Sequence, residues 1–569
     1  MRLPLIILIA LATLGQSIGA QEPVRVLDLG TPVSDTSRGA VPELVLTRTL
    51  ALFNDSATTR LEGKLDLAPR AHITGTLALY GNIARIKGTV HGSVIVLNGD
   101  LRIAATGRVE GNIIVLGGRL TVARGGTITG DTTVYVRGVL VQRAPDGTVA
   151  RRRPGRALTD FTNASATFAL GPMATTLRAS AGTYNRTEGL PIHGGPTFTW
   201  QADARNTLRL DLAGILRTAS STSGDRPDFG WTGSLAAHRA GNQPVTIGVE
   251  AGSVVAPMTD RSFAPLESGL GAFLLRRDYR DWYATRGWGA FATWQPLRPL
   301  VVAVGLHQSR ERSVRATDAF SLFRNNETWR ANPLADDGKF QTASLGISYD
   351  SRDQPTRPSS GWWVRSELRR ITSNELTPAS LPSDIRDALP TSGYQADEID
   401  LDARYYLRLN PKHSVHLRVA GGGWLGGDPL LLQHRRSMSG SDPMAGYGFR
   451  FLNCDRRRRP DAAQPALCDR QLLLQGEFRR ALDLNLSTRV GGYTLGIQHA
   501  EVVLFGDLGT AWLAGDGKGQ VPSNRIQNIG EWRSAVGIGI DGGTLGVYLA
   551  KAIADPEPIR LFFRLQRRF

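Results

Sequence analysis

From about Ala157 to Phe569 the chain alternates apolar and polar residues with a period of two, interrupted only by turns. That period constrains the fold more than any other feature, because side chains alternate faces on a strand and recur every 3.6 residues on a helix. Leu208-Arg209-Leu210-Asp211-Leu212, Val364-Arg365-Ser366-Glu367-Leu368 and Tyr406-Leu407-Arg408-Leu409 are three instances. A half-buried soluble strand also alternates. Repeated over some four hundred residues, the pattern suits a barrel whose outer face meets lipid and whose lumen holds water. Aromatic pairs at Trp282-Tyr283, Trp362-Trp363 and Tyr405-Tyr406 would set amphipathic rings at the membrane interfaces. Long polar insertions such as Thr372 to Asp397 contrast with tight turns such as Pro358-Ser359-Ser360-Gly361, the asymmetry expected of a barrel with one rim of loops and one of turns. At about 9 to 11 residues per spanning strand, residues 159–569 fit roughly 14 to 18 strands, or about 16.

The composition, 41% hydrophobic and 21% charged with 64 Gly, excludes a disordered chain and a polytopic helical membrane protein. The formal charge of +16 suits either nucleic acid or a surface facing anionic lipid and lipopolysaccharide. The N-terminus decides between them: Arg2, the apolar run Leu3 to Leu14 and the small pair Gly19-Ala20 read as a signal peptide over residues 1–20. An exported chain does not meet the genome, so no nucleic-acid partner is expected. Beyond that segment no run of about 18 apolar residues occurs. Cys454 and Cys468 suit an oxidising compartment and a single disulfide closing a short loop. Without nearby His they make a poor zinc site.

A second signal is internal repetition. Ser93 to Gly111 lies on Asn112 to Gly130, so that Val94, Ile95, Val96 and Leu97 fall on Ile113, Ile114, Val115 and Leu116 at a period of 19 residues. Upstream, Ile73-Thr74-Gly75 and Val90-His91-Gly92 repeat at a spacing of 17. Short β-branched runs split by Gly cannot bury an apolar face alone, and stacking the copies supplies the core. The reading is a β-solenoid of roughly four rungs over residues 61–145. It follows an extension at 21–60 that has a short helical piece near Glu43 to Phe53, and precedes a linker at 146–158 containing Arg151-Arg152-Arg153-Pro154-Gly155-Arg156. This segment resembles the bactofilin-like, polymer-forming repeat. The alternative, a hexapeptide acyltransferase helix with His91 as base, does not keep its rhythm here.

The barrel segment resembles the outer-membrane assembly-factor and bacterial surface antigen superfamily (BamA/TamA-like). The segment Thr183 to Leu190, with Tyr184, Asn185, Arg186 and Gly189, is similar to its YNR-x-EGL signature. Asp350, Arg352 and Asp353 resemble its mid-barrel D-x-RD turn, with Pro355 one position early. Glu477 stands in the strand after loop six, and Asp507 and Gly509 in F-x-D-x-G. Ile559 to Phe569 is similar to the C-terminal barrel signal ending on a terminal Phe, with Arg567 departing from its pattern. The resemblance implies an RG-[FY] loop-six tip whose Arg pairs with the Asp of F-x-D-x-G. Here the tip reads Ala445-Gly446-Tyr447, so Asp507 needs another donor, for which Arg450 or an inward-facing strand Arg is the candidate. The plainer reading of Gly446-Tyr447-Gly448 is a turn. The lobe Arg456-Arg457-Arg458-Arg459 is either solvated or set against lipopolysaccharide phosphates.

These readings imply an all-β outer-membrane protein of a diderm bacterium with a periplasmic solenoid. They imply no enzymatic activity, since G-x-S-x-G and H-E-x-x-H are absent, and no cofactor. The function expected is assistance to insertion or translocation of client proteins. The alternative is an envelope protein in which the barrel anchors a self-associating or wall-binding solenoid.

Overall fold

In the computed structural model the described residues are 41, 43–61, 64–136, 138–139, 141–143, 148–151, 163–170, 173–221, 224–258, 264–355, 357–381, 388–438, 444–454, 465–482, 486–490, 493–497, 500–516, 520–543 and 545–569. The expected signal peptide at 1–20, most of the linker and Arg456 to Arg459 lie outside them. No helix among them is long and apolar enough to cross a membrane.

The repeat folds as a β-solenoid of three parallel sheets. Ile113 to Leu116 pair with Val94 to Leu97, Leu120 with Leu101, and Ile128 with Val109, while Ile73 pairs with Val90. The 19- and 17-residue periods are therefore the rung lengths. Val94, Val96, Leu101, Ile103, Val109, Ile113 and Val115 fill the interior, and the β-branched residues that dominate it fit the pleat of stacked strands. Backbone crowding at the corners admits only glycine: a Cβ at Gly118 would lie 1.5 Å from the Gly99 carbonyl oxygen. Helix α1 (Glu43–Asn54) lays Leu46, Leu50 and Phe53 against Ile95, Leu97 and Leu116 on the outside of one sheet. Asn54 fixes it by donating to and accepting from the Val149 backbone at 2.7 Å each.

The remainder is a 17-stranded antiparallel sheet in simple sequential order. Its strands are β1 (Asn163–Leu170), β2 (Met173–Ala181), β3 (Pro191–Gln201), β4 (Asn206–Arg217), β5 (Phe229–Arg239), β6 (Val245–Pro257), β7 (Trp282–Leu297), β8 (Leu300–Ser313) and β9 (Asp337–Asp350). They continue as β10 (Gly361–Thr377), β11 (Tyr394–Asn410), β12 (His413–Gly427), β13 (Arg470–Ala481), β14 (Glu501–Trp512), β15 (Arg533–Asp541), β16 (Gly546–Ala552) and β17 (Arg560–Arg564). The count lies inside the expected range. Strand β8 shows the inverted polarity: Val304 and Leu306 face out, 49% and 67% exposed, while His307, Ser309 and Glu311 are buried inside. A polar interior with an apolar rind is what lipid outside and water inside select.

Long connections alternate with short ones, and the segment from β12 to β13 is the sixth long one. On the long rim, α2 (Pro265–Leu275) sits between β6 and β7. Trp282 starts β7, yet it is buried and donates its indole N–H to Asp278 at 2.8 Å. It is thus part of the loop core rather than an interfacial ring. Trp362 behaves as expected, half exposed at the start of β10 and packed on Tyr405. The last strand also differs from expectation. Leu561 and Phe563 face out as the alternation requires, but the strand stops at Arg564 and Phe569 is buried off the sheet.

A charged contact joins solenoid and barrel. Arg408, near the short β11–β12 turn, donates to Asp100 at 2.8 Å across a separation of 308 residues, and both side chains are about nine-tenths buried. Asp100 also accepts from the Arg119 backbone at 2.9 Å. The solenoid therefore seats against the short-turn rim. Charge reversal at either Asp100 or Arg408 is expected to free the solenoid to protease, and the double swap to restore protection. The double-mutant coupling should be about 0.5–3 kcal/mol, read from protease susceptibility of the two singles and the double.

Candidate functional site

The lumen is lined by acids that hold the sixth long loop. Its base runs inside the wall: Arg436 lies 2.9 Å from Asp400 and 3.4 Å from Glu398, and His434 Nδ1 lies 2.9 Å from Glu398. Arg369 on β10 closes the group, 3.0 Å from Glu398 and 2.6 Å from Asp400. Gln433 donates to Glu311 at 2.8 Å, and Asp336 accepts from the Leu432 backbone at 2.8 Å. Arg435 reaches Asp469 at 3.0 Å. Glu398 is fully buried, and two arginines with the His434 imidazole around one carboxylate supply the compensation a buried charge requires.

The tip of the loop is apolar and lies on the inner face of β13 to β17. Ala445 and Phe562 pack on the cluster of Val503, Phe505, Tyr548 and Ala550, and Met444 and Tyr447 pack with Leu473, Ala535 and Ala552. Tyr447 donates its hydroxyl to the Ser534 carbonyl at 3.0 Å. Two glycines make this fit. Gly446 has φ +99° and lies so close to β16 that a Cβ would come within 2.9 Å of the Ala552 nitrogen; a Cβ on Gly509 would meet Met438 Sδ at 2.5 Å. The glycines of β15 likewise make room: a Cβ on Gly537 would strike Phe505 and one on Gly539 would strike Tyr548, each at 2.1 Å.

Asp507 is fully buried, and the charge beside it is not Arg450. Arg568 Nη2 donates to both Asp507 oxygens at 2.6 Å, its guanidinium lies 3.7 Å over the Phe505 ring, and Gln475 donates to Asp507 at 2.9 Å. Glu477 is shared by Arg479 at 2.7 Å and Arg568 at 3.6 Å. Arg479 also bonds Glu501 and Asp541, and Arg567 bonds Glu501 at 2.7 Å. Arg568 went unread in the sequence because it stands at an inward-facing position of the alternation, where a charge is ordinary, and the residue that breaks the pattern is Arg567.

Arg450 instead pairs with Asp281 among the outer loops, on the side of the loop beyond its tip. Arg186 at 2.9 Å and Arg330 at 2.7 Å meet the same carboxylate. Burial and the like charge of its neighbours press Arg186 and Arg450 each down to about 9. The Thr183 to Leu190 signature builds this lock. Asn185 accepts from the Thr187 and Glu188 backbones, Gly189 closes the turn at φ +66°, Tyr184 donates to the Phe320 carbonyl, and Glu188 holds Arg217 at 2.6 Å. At the opposite rim Arg352 grips Asp350 with two bonds, at 2.9 and 2.6 Å, while Asp353 accepts from the Ser359 and Ser360 backbones. These residues shape a turn. Cys454 and Cys468 form a disulfide.

On the solenoid, His91 stacks on His72 and lies 2.7 Å from Glu110. Among the described residues no cluster of His, Cys, Asp or Glu could hold a metal.

Two outcomes follow. Replacing Glu398 with Ala leaves Arg369 and Arg436 short of a partner and should cost about 3–5 kcal/mol of loop anchoring, seen as tryptic cleavage at Arg435 or Arg436 in an otherwise folded barrel. Glu110 sits below its ordinary 4.5 through its bond to His91. A carboxyl depressed on folding stabilises above its unfolded pKa and loses that contribution as pH falls through the folded value. Solenoid protection should therefore weaken below about pH 4.5, and Glu110→Gln should flatten that dependence in hydrogen exchange.

Residues 304–544 match the Omp85 superfamily domain. Among solved structures, BamA from Haemophilus ducreyi lacking POTRA domains 1–3 is similar at 12% identity and a TM-score of 0.41, over 71% of this chain and 75% of that one. CdiB from Acinetobacter baumannii is similar at 10% and 0.27, over 71% and 65%, and CdiB from Escherichia coli at 9% and 0.29, over 70% and 63%. No curated protein matches the sequence. The matched segment runs from strand β8 to strand β15 and contains loop six, Asp507 and Gly509, so the likeness to the Omp85 superfamily domain covers the residues that hold the loop.

Proposed function

We propose that this protein sits in the bacterial outer membrane and assists insertion or translocation of client proteins at the seam between β1 and β17. The observation that carries the reading is the seam itself. The sheet runs from β1 to β17 with no pairing between those two edges among the described residues, and β17 pairs with β16 over only five residues, Arg560 to Arg564. Unpaired N–H and C=O groups in lipid are costly, so such an edge offers a gain to any strand that adds to it. The match of residues 304–544 to the Omp85 superfamily domain supports the same role. The solenoid, seated on the short-turn rim through Asp100 and Arg408, then lies in the periplasm. The role is one of strand pairing and passage, not of bond chemistry.

A second reading has the barrel anchor the solenoid for self-association or wall contact. It is favoured by the last rung, where Thr132–Tyr135 ends its sheet with one edge unpaired and Val122 and Val134 are 42% and 38% exposed. Depletion of the protein followed by quantitative proteomics of the outer-membrane fraction separates the two. Loss of other barrel or secreted proteins is expected. An unchanged set with altered envelope shape or wall attachment would favour the anchor.

A further inference from the structure

We propose that residues 565–569 form a charge-held latch folded into the lumen, which keeps the edge strand β17 short. The reason lies in the alternation. Leu561 and Phe563 face outward, so a strand continued through residue 569 would turn Leu565, Arg567 and Phe569 outward as well. An arginine on the lipid face costs up to about 2–4 kcal/mol at the bilayer midplane and less near the interface. The chain turns inward instead.

The turn is held on both sides. The Leu565 and Gln566 backbone N–H groups, which would continue the edge, donate to Glu267 Oε1 at 2.6 and 3.3 Å. Arg564 reaches both oxygens of the same carboxylate, at 3.0 and 3.1 Å. Glu267 comes from the first turn of α2, 297 residues earlier in the chain than Arg564. Past this point Arg567 meets Glu501 on β14 and Arg568 meets Asp507 on β14 and Glu477 on β13, while Phe569 is buried. Arg567 also lies 3.9 Å from Asp541 on β15, so the five carboxylates named here belong to α2, β13, β14 and β15, and none of them to β16, the strand that β17 pairs with. The segment is therefore fastened by these ion pairs to the inner face of β13 to β15 and to a loop helix.

Such a segment has two arrangements. Folded in, it neutralises Asp507 and leaves an edge of five paired residues. Released, it adds about 17 Å of unpaired strand at about 3.3 Å per residue beside β1. The charges in the lumen decide which is populated, so the length of the edge depends on Asp507, Glu501 and Glu267. The latch stands on the geometry of β17 and not on the client role, so a client assay and a test of the latch fail separately.

The test is cysteine protection at the end of the segment in the full-length, detergent-folded protein. The native cysteines are joined in a disulfide, so Phe569→Cys supplies the reactive thiol, and heat-modifiable migration selects folded barrels. In an otherwise native background it should resist a bulky maleimide. With Asp507→Asn added, labelling should rise about tenfold or more, following the population of the opened state. Glu267→Gln, which leaves the lumen charges in place, loosens the turn from its other side and should also speed labelling if the Asp507 variant fails to fold. Equal labelling with and without these changes, or native labelling as fast as in the heat-denatured chain, would overturn the latch.

Discussion

A carboxylate walled into the barrel, at Asp507, is the constraint on which the rest of the lumen depends. Removed from water without a counter-charge it would cost several kcal/mol or give up its charge. Arg568 supplies that counter-charge from the end of the chain, with Gln475 beside it and the Phe505 ring beneath the guanidinium. Because the tail provides the cation, the loop-six tip is free to be apolar. Ala445 and Met444 then pack on β14 to β17, and the loop gains its hold through hydrophobic contact at the tip and through ion pairs at its base. Moving the cation from the loop to the tail thus changes which segment must shift before Asp507 is uncovered.

Two quite different interiors are made from the same strand periodicity. In the solenoid the inward positions are Val, Ile and Leu, neighbours are one rung away, and glycine at the corners lets backbones touch. In the barrel many inward positions are Arg, Asp, Glu, Gln and His, and their partners lie on the same or neighbouring strands and on the loop folded in between them. The outer loops repeat the lumen's solution, with Arg186, Arg330 and Arg450 gathered on Asp281. Loop six joins both assemblies, since its base is held by Glu398 and Asp400 and its far side by Asp281.

What the sequence made legible was local and periodic. The offset between the copies at Val94 and Ile113 is the pairing register of the solenoid, and the two-residue period names the lipid-facing residues of β8 and β17. The loop-six and F-x-D-x-G segments lie against each other, a contact that only the family resemblance, and not the residues themselves, implied. Partner choice was not legible, because it depends on which inward residues face one another after the sheet curls. Nothing near Arg450 marks Asp281, which is far away in the chain, and Arg568 registers in sequence only as a charge next to another charge. Trp282 shows the same limit: its position at a strand end suggests a membrane interface, while Asp278, four residues earlier, draws its indole into the loop core.

The contact between Asp100 and Arg408 has a mechanical meaning. Arg408 stands on β11, and that same strand carries Asp402, Asp400 and Glu398 on its inward face. Strand β11 is hydrogen-bonded along its length to β10 and β12, so it is stiff along its axis and bears load without stretching. A pull on the solenoid is then delivered to the anchor of loop six along one strand. The weakest link in that line is the ion pair at its foot, a single pair of side chains, which would part before the strand or the loop does.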